Sequence, residues 1–272
     1  MRVAFVGGGN MTTSLVGGLR ARGVPAGDIA VADPVAAQVE RLRNEFGIRG
    51  APSNVEAARG ADVVVLAVKP QDMATVAREV APAIAGHDPV ALSIAAGIRI
   101  ANLQAWLGPD AAIVRAMPNR PALIGAGISA AFANDRAGGD RRAAAERVLE
   151  AAGPVVWLDD EAQMDAVTAV SGSGPAYFFL LIESIEDAGV ALGLPRAVAR
   201  QLAVQTALGS GRMAAGSSDP PAVLREQVTS RGGTTAAALE VLEDAGMRDI
   251  FRRAIAAAAR RSAELADQFG SQ

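Results

Sequence analysis

Thr229-Ser230-Arg231-Gly232-Gly233-Thr234-Thr235 sets small hydroxyls and two glycines directly ahead of Ala236-Ala237-Ala238-Leu239-Glu240-Val241-Leu242, a run with helical spacing. The first N–H groups of such a helix have no intrahelical acceptor, and the macrodipole favours negative charge beside them, so the stretch can hold a small anion. A Ser or Thr N-cap after a flexible loop is the alternative reading. A second glycine stretch, Gly7-Gly8-Gly9-Asn10-Met11-Thr12, follows the apolar run Val3-Ala4-Phe5-Val6 and precedes helical spacing through Leu15, Val16 and Leu19. It fits G-x-G-x-x-G at the first two glycines, with Thr12 at the third. Strand, glycine turn and helix in that order form a dinucleotide site, where Gly7 permits the tight turn and Gly9 lets backbone approach a pyrophosphate. Thr12 bears on the packing of helix against strand.

Asp33, which ends a second strand-like run, is placed to accept hydrogen bonds from an adenosine ribose and so leans towards NADH. Asp-Pro as a simple turn is the alternative, and Arg41 and Arg43 lie a helical turn or more further on. Lys69, in Ala67-Val68-Lys69-Pro70, follows a buried strand at the carboxyl edge where open α/β sheets bind ligands. In a chain that otherwise uses arginine, it suggests a compact cation near a cofactor. Asn54 reads as a helix cap or an adenosine contact. His87 beside Asp88-Pro89 reads as a surface turn residue, and Glu183 and Glu226 as solvated carboxylates.

Lys69 is the sole lysine among 26 basic residues, and there is one histidine, one tyrosine (Tyr177) and no cysteine. Most general acids and bases are therefore missing, as are disulfides, thiol nucleophiles and thiolate metal sites. With a net charge of −3 and a pI near 5.4, no basic domain offers itself to nucleic acid, and Arg252-Arg253 and Arg260-Arg261 read as solvated helix faces. Met1 leads straight into a strand-like run, which predicts a cytoplasmic protein. The longest uncharged run, residues 166–182, is broken by Gly172, Gly174 and Pro175 and reads as buried helix rather than a membrane span.

These groups need a scaffold, and the hydrophobic pattern supplies one. Residues 63–68 are a continuous β-branched run of the kind buried on both faces of a parallel sheet. Strand and helix patterns alternate through residues 91–94, 113–116, 128–132 and 155–157. After Asp159-Asp160 only helical periodicity remains, over 161–170, 175–192, 195–215, 221–228, 234–244 and 247–269. The expected fold is α/β: an N-terminal Rossmann-type dinucleotide-binding domain over residues 1–159, then an all-helical domain over 160–272. In 175–192 the stripe Phe178, Leu181, Ile182, Ile185, Gly189 and Leu192 is expected to face one core. Tyr177, Phe179 and Leu180 make the first turns apolar all round, which calls for a second neighbour and predicts a homodimer.

Gly-x-Gly-Asn-Met, Ala-Val-Lys-Pro, Arg115-Ala116-Met117-Pro118-Asn119-Arg120-Pro121-Ala122, Val170-Ser171-Gly172-Ser173-Gly174-Pro175-Ala176-Tyr177 and the Thr229–Thr235 segment together resemble pyrroline-5-carboxylate reductase over essentially the whole chain. The resemblance implies a helical dimerisation domain and reduction of Δ1-pyrroline-5-carboxylate to L-proline, the final step of proline biosynthesis, by NADPH or NADH. It implies cofactor contacts from Val6, Gly7, Gly8, Gly9, Asn10, Met11, Asn54, Ala67, Val68, Lys69 and Pro70. Substrate would be held by Ser230, Gly232, Gly233, Thr234 and Thr235 with its carboxylate on backbone N–H groups, in a homodimer or a higher assembly of dimers, without metal, nucleic acid or membrane. Thr12, Arg120 and Arg231 depart from the family pattern.

The missing acids and bases fit this chemistry. Alcohol oxidation must move a hydroxyl proton as hydride moves. A cyclic imine is protonated by solvent, and the enzyme mainly places its carbon against the nicotinamide, with the Thr235 hydroxyl steadying the nitrogen. Another NAD(P)-dependent imine or hydroxyacid reductase, or a non-catalytic dinucleotide-binding dimer, are the alternatives.

Overall fold

A computed structural model describes residues 1–270, so the far end of the helical half at 272 lies outside the described residues. The first half runs β1 (Val3–Val6), α1 (Asn10–Ala21), β2 (Ile29–Ala32), α2 (Ala36–Phe46), β3 (Arg49–Gly50), α3 (Asn54–Ala58), β4 (Val63–Leu66) and α4 (Met73–His87). It continues with β5 (Val90–Ser93), α5 (Ile100–Leu107), β6 (Ala112–Pro118), β7 (Ser129–Ala133), α6 (Gly139–Leu149) and β8 (Val155–Trp157). These strands form one sheet in the order β3-β2-β1-β4-β5-β6-β7-β8, parallel except between β6 and β7. The first six positions follow the Rossmann order, with its crossover between β1 and β4.

Strands β1, β2, β4 and β5 are buried along their whole length, because helices cover both faces and alternate side chains enter two cores. Phe5, Val31, Val65 and Leu92 pack with Leu15 and Leu42; Val6, Val64 and Leu66 pack with Met73, Val80 and Leu103. β4 stops at Leu66, two residues short of the apolar run. β3 has no apolar pattern because both of its residues are exposed at the sheet edge.

The helical half comprises α7 (Met164–Val167), a π-helical turn at Thr168–Gly172, α8 (Gly174–Ala191), α9 (Arg196–Gly216), α10 (Pro221–Gln227), α11 (Thr234–Asp244) and α12 (Met247–Gly270). The chain forms two compact units, one of Met1–Gly172 with the segment from Ala258 onwards, the other Ser173–Ala257. Strand pattern ends near 159, yet the unit boundary falls after Gly172. Glu161 is held by Arg115 of β6, and the Asp165 carboxylate accepts from Ser262 of α12 at 2.6 Å. Those two bonds keep residues 160–172 and the end of α12 with the sheet.

In the second unit α8 and α9 pack closely, an added Cβ on Gly189 meeting that of Ala199 at 3.1 Å. Only Gly174, Ala199 and Ala203 are buried there. The expected core-facing stripe of α8 is not covered within the chain: Phe178 is 64% and Leu192 87% exposed. Residues 166–182 likewise are not a buried helix, and the stretch Glu161–Ala191 is long and apolar enough by composition to cross a membrane. The periodicity was that of a covered face, but the cover does not come from this chain's own helices.

Helix α1 carries a built-in test of how tightly the first unit is packed. A Cβ on Gly18 would overlap the Ala151 carbonyl oxygen, whereas one on Gly17 would meet only the Phe46 ring edge at 3.3 Å. Gly18→Ala is expected to destabilise by about 1–3 kcal/mol through overpacking. Gly17→Ala is expected to stay within about 1 kcal/mol of wild type, as its gain in helix propensity offsets a yielding ring. Urea denaturation of both variants checks the contrast.

Candidate functional site

The carboxyl ends of β1, β2 and β4 lie level, with Val6 in register with Ala32 and Leu66. Gly7 continues the ladder, its N–H donating to Ala32 O at 2.8 Å, then turns the chain at φ +105°. A Cβ there would stand 2.5 Å from the Ala67 carbonyl oxygen, so only glycine fits. Gly9 differs: an added Cβ would meet nothing within 4 Å. Its bareness leaves room above α1 rather than satisfying a contact inside the protein. Gly9 is the N-cap of α1, with extended backbone and no side-chain cap. The first intrahelical bond runs from Thr13 N to Gly9 O at 3.0 Å, which leaves the N–H groups of Asn10, Met11 and Thr12 without intrahelical acceptors.

Thr12 proves compatible with this turn. It is fully buried, and its hydroxyl donates to Gly7 O at 2.6 Å, so it braces the loop. Asp33 binds the same loop: its carboxylate accepts from Gly8 N at 2.7 Å and from Val35 N at 2.8 Å. Arg41, which lies well beyond Asp33 in sequence, folds back to donate to Gly8 O at 3.1 Å. That contact had no sequence signal, since it depends on how α2 packs.

A cleft at this edge is lined by Gly7, Asp33, Ser53, Asn54, Val68, Asp72 and Glu79, among others. Ser53, not Asn54, caps α3, accepting from Glu56 N at 3.2 Å; the Asn54 side-chain amide instead donates to Glu79 at 2.8 Å. Ala67 N donates to Val6 O at 2.8 Å, and exposed Lys69 is the N-cap of a single 3-10 turn at Pro70–Asp72. Val6 through Met11, Asp33, Asn54 and Ala67 through Pro70 are thus gathered at one sheet edge. The room at Gly9 and the uncapped N–H groups fit a pyrophosphate.

In the second unit, residues 228–233 join α10 to α11. The Thr229 hydroxyl donates to Arg225 O at 2.6 Å, and Gly232 turns the chain at φ +71°. The N-cap of α11 is Gly233, not a serine or threonine, and no side chain caps the helix. Gly233 N–H is used within the loop, on Ser230 O at 3.0 Å, and Ala237 N closes the first helical bond to Gly233 O at 3.2 Å. Thr234, Thr235 and Ala236 therefore present the N–H groups without intrahelical acceptors; Ala236 was hidden in the sequence as a plain helix residue. The Ser230, Thr234 and Thr235 side chains are exposed, as is Arg231.

The two remaining motif segments bind each other. Asn119 donates to Ser171 O at 3.3 Å and accepts from Ile128 N at 3.0 Å. Glu161 Oε1 accepts from both Arg115 Nη1 and Ile100 N at 2.8 Å. The first joins the segment just past β6 to the π-helical turn, and the second joins β6 and α5 to the 3-10 turn Glu161–Gln163. His87 is exposed at the end of α4, and Glu183 and Glu226 are exposed.

The family model for pyrroline-5-carboxylate reductase dimerisation matches residues 161–265, and that for NADP oxidoreductase, coenzyme F420-dependent, matches residues 2–97. The chain is 51% identical to the pyrroline-5-carboxylate reductase of Pseudomonas aeruginosa over 99% of its own length and 98% of that protein's. The structure of a pyrroline-5-carboxylate reductase from Coxiella burnetii superposes with a TM-score of 0.94 at 38% identity, covering 97% and 98% of the two chains. That of the Plasmodium falciparum pyrroline carboxylate reductase with NADP bound gives 0.85 at 30% identity, covering 98% of each.

The contrast between Gly7 and Gly9 separates folding from binding. Gly9→Val is expected to leave the denaturation midpoint of the unliganded protein nearly unchanged while weakening dinucleotide binding at least tenfold. Gly7→Ala is expected to lower stability itself. Thermal unfolding with and without dinucleotide distinguishes them.

Proposed function

The chain belongs to the pyrroline-5-carboxylate reductase family, and on that premise we propose how its residues divide the work. The reaction is NAD(P)H-dependent reduction of Δ1-pyrroline-5-carboxylate to L-proline. Bound NAD(P)H supplies the hydride, which adds to the imine carbon while the C=N π pair moves to a nitrogen already protonated by solvent.

We assign the dinucleotide to the cleft at β1, β2 and β4. Gly7 sets the turn, Gly9 admits the pyrophosphate to the N–H groups of Asn10, Met11 and Thr12, and Asp33 and Asn54 face the adenosine ribose. Val6, Gly8 and Ala67 through Pro70 form the edge on which the cofactor rests. The support is the open space at Gly9.

Substrate belongs to the loop before α11. Its carboxylate is taken by the N–H groups of Thr234 and Thr235, joined by that of Ala236, with the Ser230 hydroxyl alongside; Gly232 and Gly233 shape the loop. The single observation that carries this assignment is the uncapped N-terminus of α11, whose N-cap is a glycine. The Thr235 hydroxyl steadies the ring nitrogen as it becomes an amine. No His, Lys or Tyr is asked to move a proton, because solvent protonates the imine before hydride arrives. Arg231, exposed, lies outside this set.

The dimerisation region makes the protein a homo-oligomer. We propose a homodimer, or an assembly of such dimers, formed on the exposed apolar surface of α8 and α9. The cytoplasm, where a biosynthetic reductase meets NAD(P)H, is the proposed compartment.

Thr235→Val is expected to lower kcat at least tenfold while leaving cofactor affinity intact; an unchanged rate in steady-state dinucleotide oxidation with pyrroline-5-carboxylate removes Thr235 from the mechanism. Phe178→Glu, which puts charge on the apolar face, is expected to shift the protein to smaller species in analytical ultracentrifugation. A wild-type chain sedimenting as a compact monomer at micromolar concentration refutes the dimer.

A further inference from the structure

We propose that this chain is built for the unphosphorylated dinucleotide, NADH, and that Asp33 is the residue that discriminates against the 2′-phosphate of NADPH. The proposal rests on the cofactor cleft assigned above. The Asp33 carboxylate is fixed at both oxygens, by Gly8 N–H at 2.7 Å and Val35 N–H at 2.8 Å. It therefore cannot swing out of the cleft without releasing the glycine turn. Each oxygen keeps a further lone pair for a ribose hydroxyl.

The turn that follows offers a phosphate no side chain in return. Pro34, Val35, Ala36 and Ala37 bring no cation, hydroxyl or side-chain amide, only the backbone N–H groups of Ala36 and Ala37 at the start of α2. Pro34 has no N–H, and that of Val35 is already given to Asp33. Asp72 and Glu79 also line the cleft, and no arginine or lysine is among its described lining residues. Two of its polar side chains are engaged, the Asn54 amide on Glu79 at 2.8 Å and the Ser53 hydroxyl as the cap of α3; the Thr75 hydroxyl, which also lines the cleft, carries no charge to meet a phosphate. Arg41 approaches the glycine turn, but one of its nitrogens serves Gly8 O at 3.1 Å, Thr13 Oγ1 at 3.0 Å and Gln38 Oε1 at 2.9 Å. Its other terminal nitrogen lies 3.8 Å from Glu45. A phosphate monoester carrying up to two charges would enter beside a fixed carboxylate with no free cation to meet it, whereas a 2′-hydroxyl would donate to that carboxylate.

Calorimetric titration of the full chain with NADH and NADPH separately, without substrate, tests this. NADH is expected to bind at least tenfold more tightly. Asp33→Asn, which removes the charge and keeps an acceptor for Gly8 N–H, is expected to bring the ratio of the two Kd values at least threefold closer to unity. Val35→Arg, at a position 55% exposed whose part in the turn is its backbone N–H alone, is expected to tighten NADPH about tenfold. Equal binding, or tighter binding of NADPH, by the wild-type chain overturns the proposal, and is the result if Arg41 leaves its acceptors for the phosphate. A ratio unmoved in both variants overturns the role of Asp33. Binding of neither dinucleotide refutes the cleft assignment itself, a different failure from binding both alike.

Discussion

The second unit cannot close a core of its own, and much else depends on that constraint. Its helices bury one glycine and two alanines, while Phe178, Phe179, Leu180, Leu202 and Leu208 stay open in the single chain. Burying one such large side chain stabilises by about 1.5–3 kcal/mol. A few of them covered together match the whole stability of an ordinary domain. Association through this region, as proposed above, would cover them and make stability inseparable from protomer concentration. The loop that presents Thr234 and Thr235 is carried by that same unit, so the proposed substrate site would inherit the dependence.

One backbone arrangement occurs twice, at the two places proposed above for anions. α1 and α11 each begin at a glycine in extended conformation, each lacks a side-chain cap, and each closes its first bond from the fourth helical residue back to that glycine. A serine or aspartate N-cap would have satisfied one of these donors internally. Glycine leaves three N–H groups and the helix dipole to a ligand in both places. A chain with one lysine, one histidine and one tyrosine can therefore hold two anions with backbone alone, and the reduction of an imine asks little more.

The sequence was legible where a signal is local. The continuous run at 63–68 read directly as a buried strand, which the structure ends at Leu66, and Pro175 marked the first turn of α8. Glycines followed by helical spacing located the starts of α1 and α11. What could not be read depended on the packing of distant pieces. β3 is two exposed residues whose only mark is pairing with β2. Arg41 reaches Gly8 because α2 lies over the turn. Ser53 and Asn54 are adjacent polar residues, and local pattern does not say which becomes the cap. The stripe on α8 shows the commonest limit: periodicity reports that a face is covered and is silent on what covers it.

The end of α12 lies with the sheet unit: Ser262 on Asp165, Asp267 on Arg99 at 2.7 Å, and the Gly270 carbonyl on Asn102 at 3.2 Å. These residues follow every strand and the whole of the helical unit in the chain. The usual sequence, in which an N-terminal domain finishes before the next emerges, is therefore closed to this protein. A nascent sheet unit waits with one docking face bare until α12 has been made, and the apolar helices are synthesised during that wait.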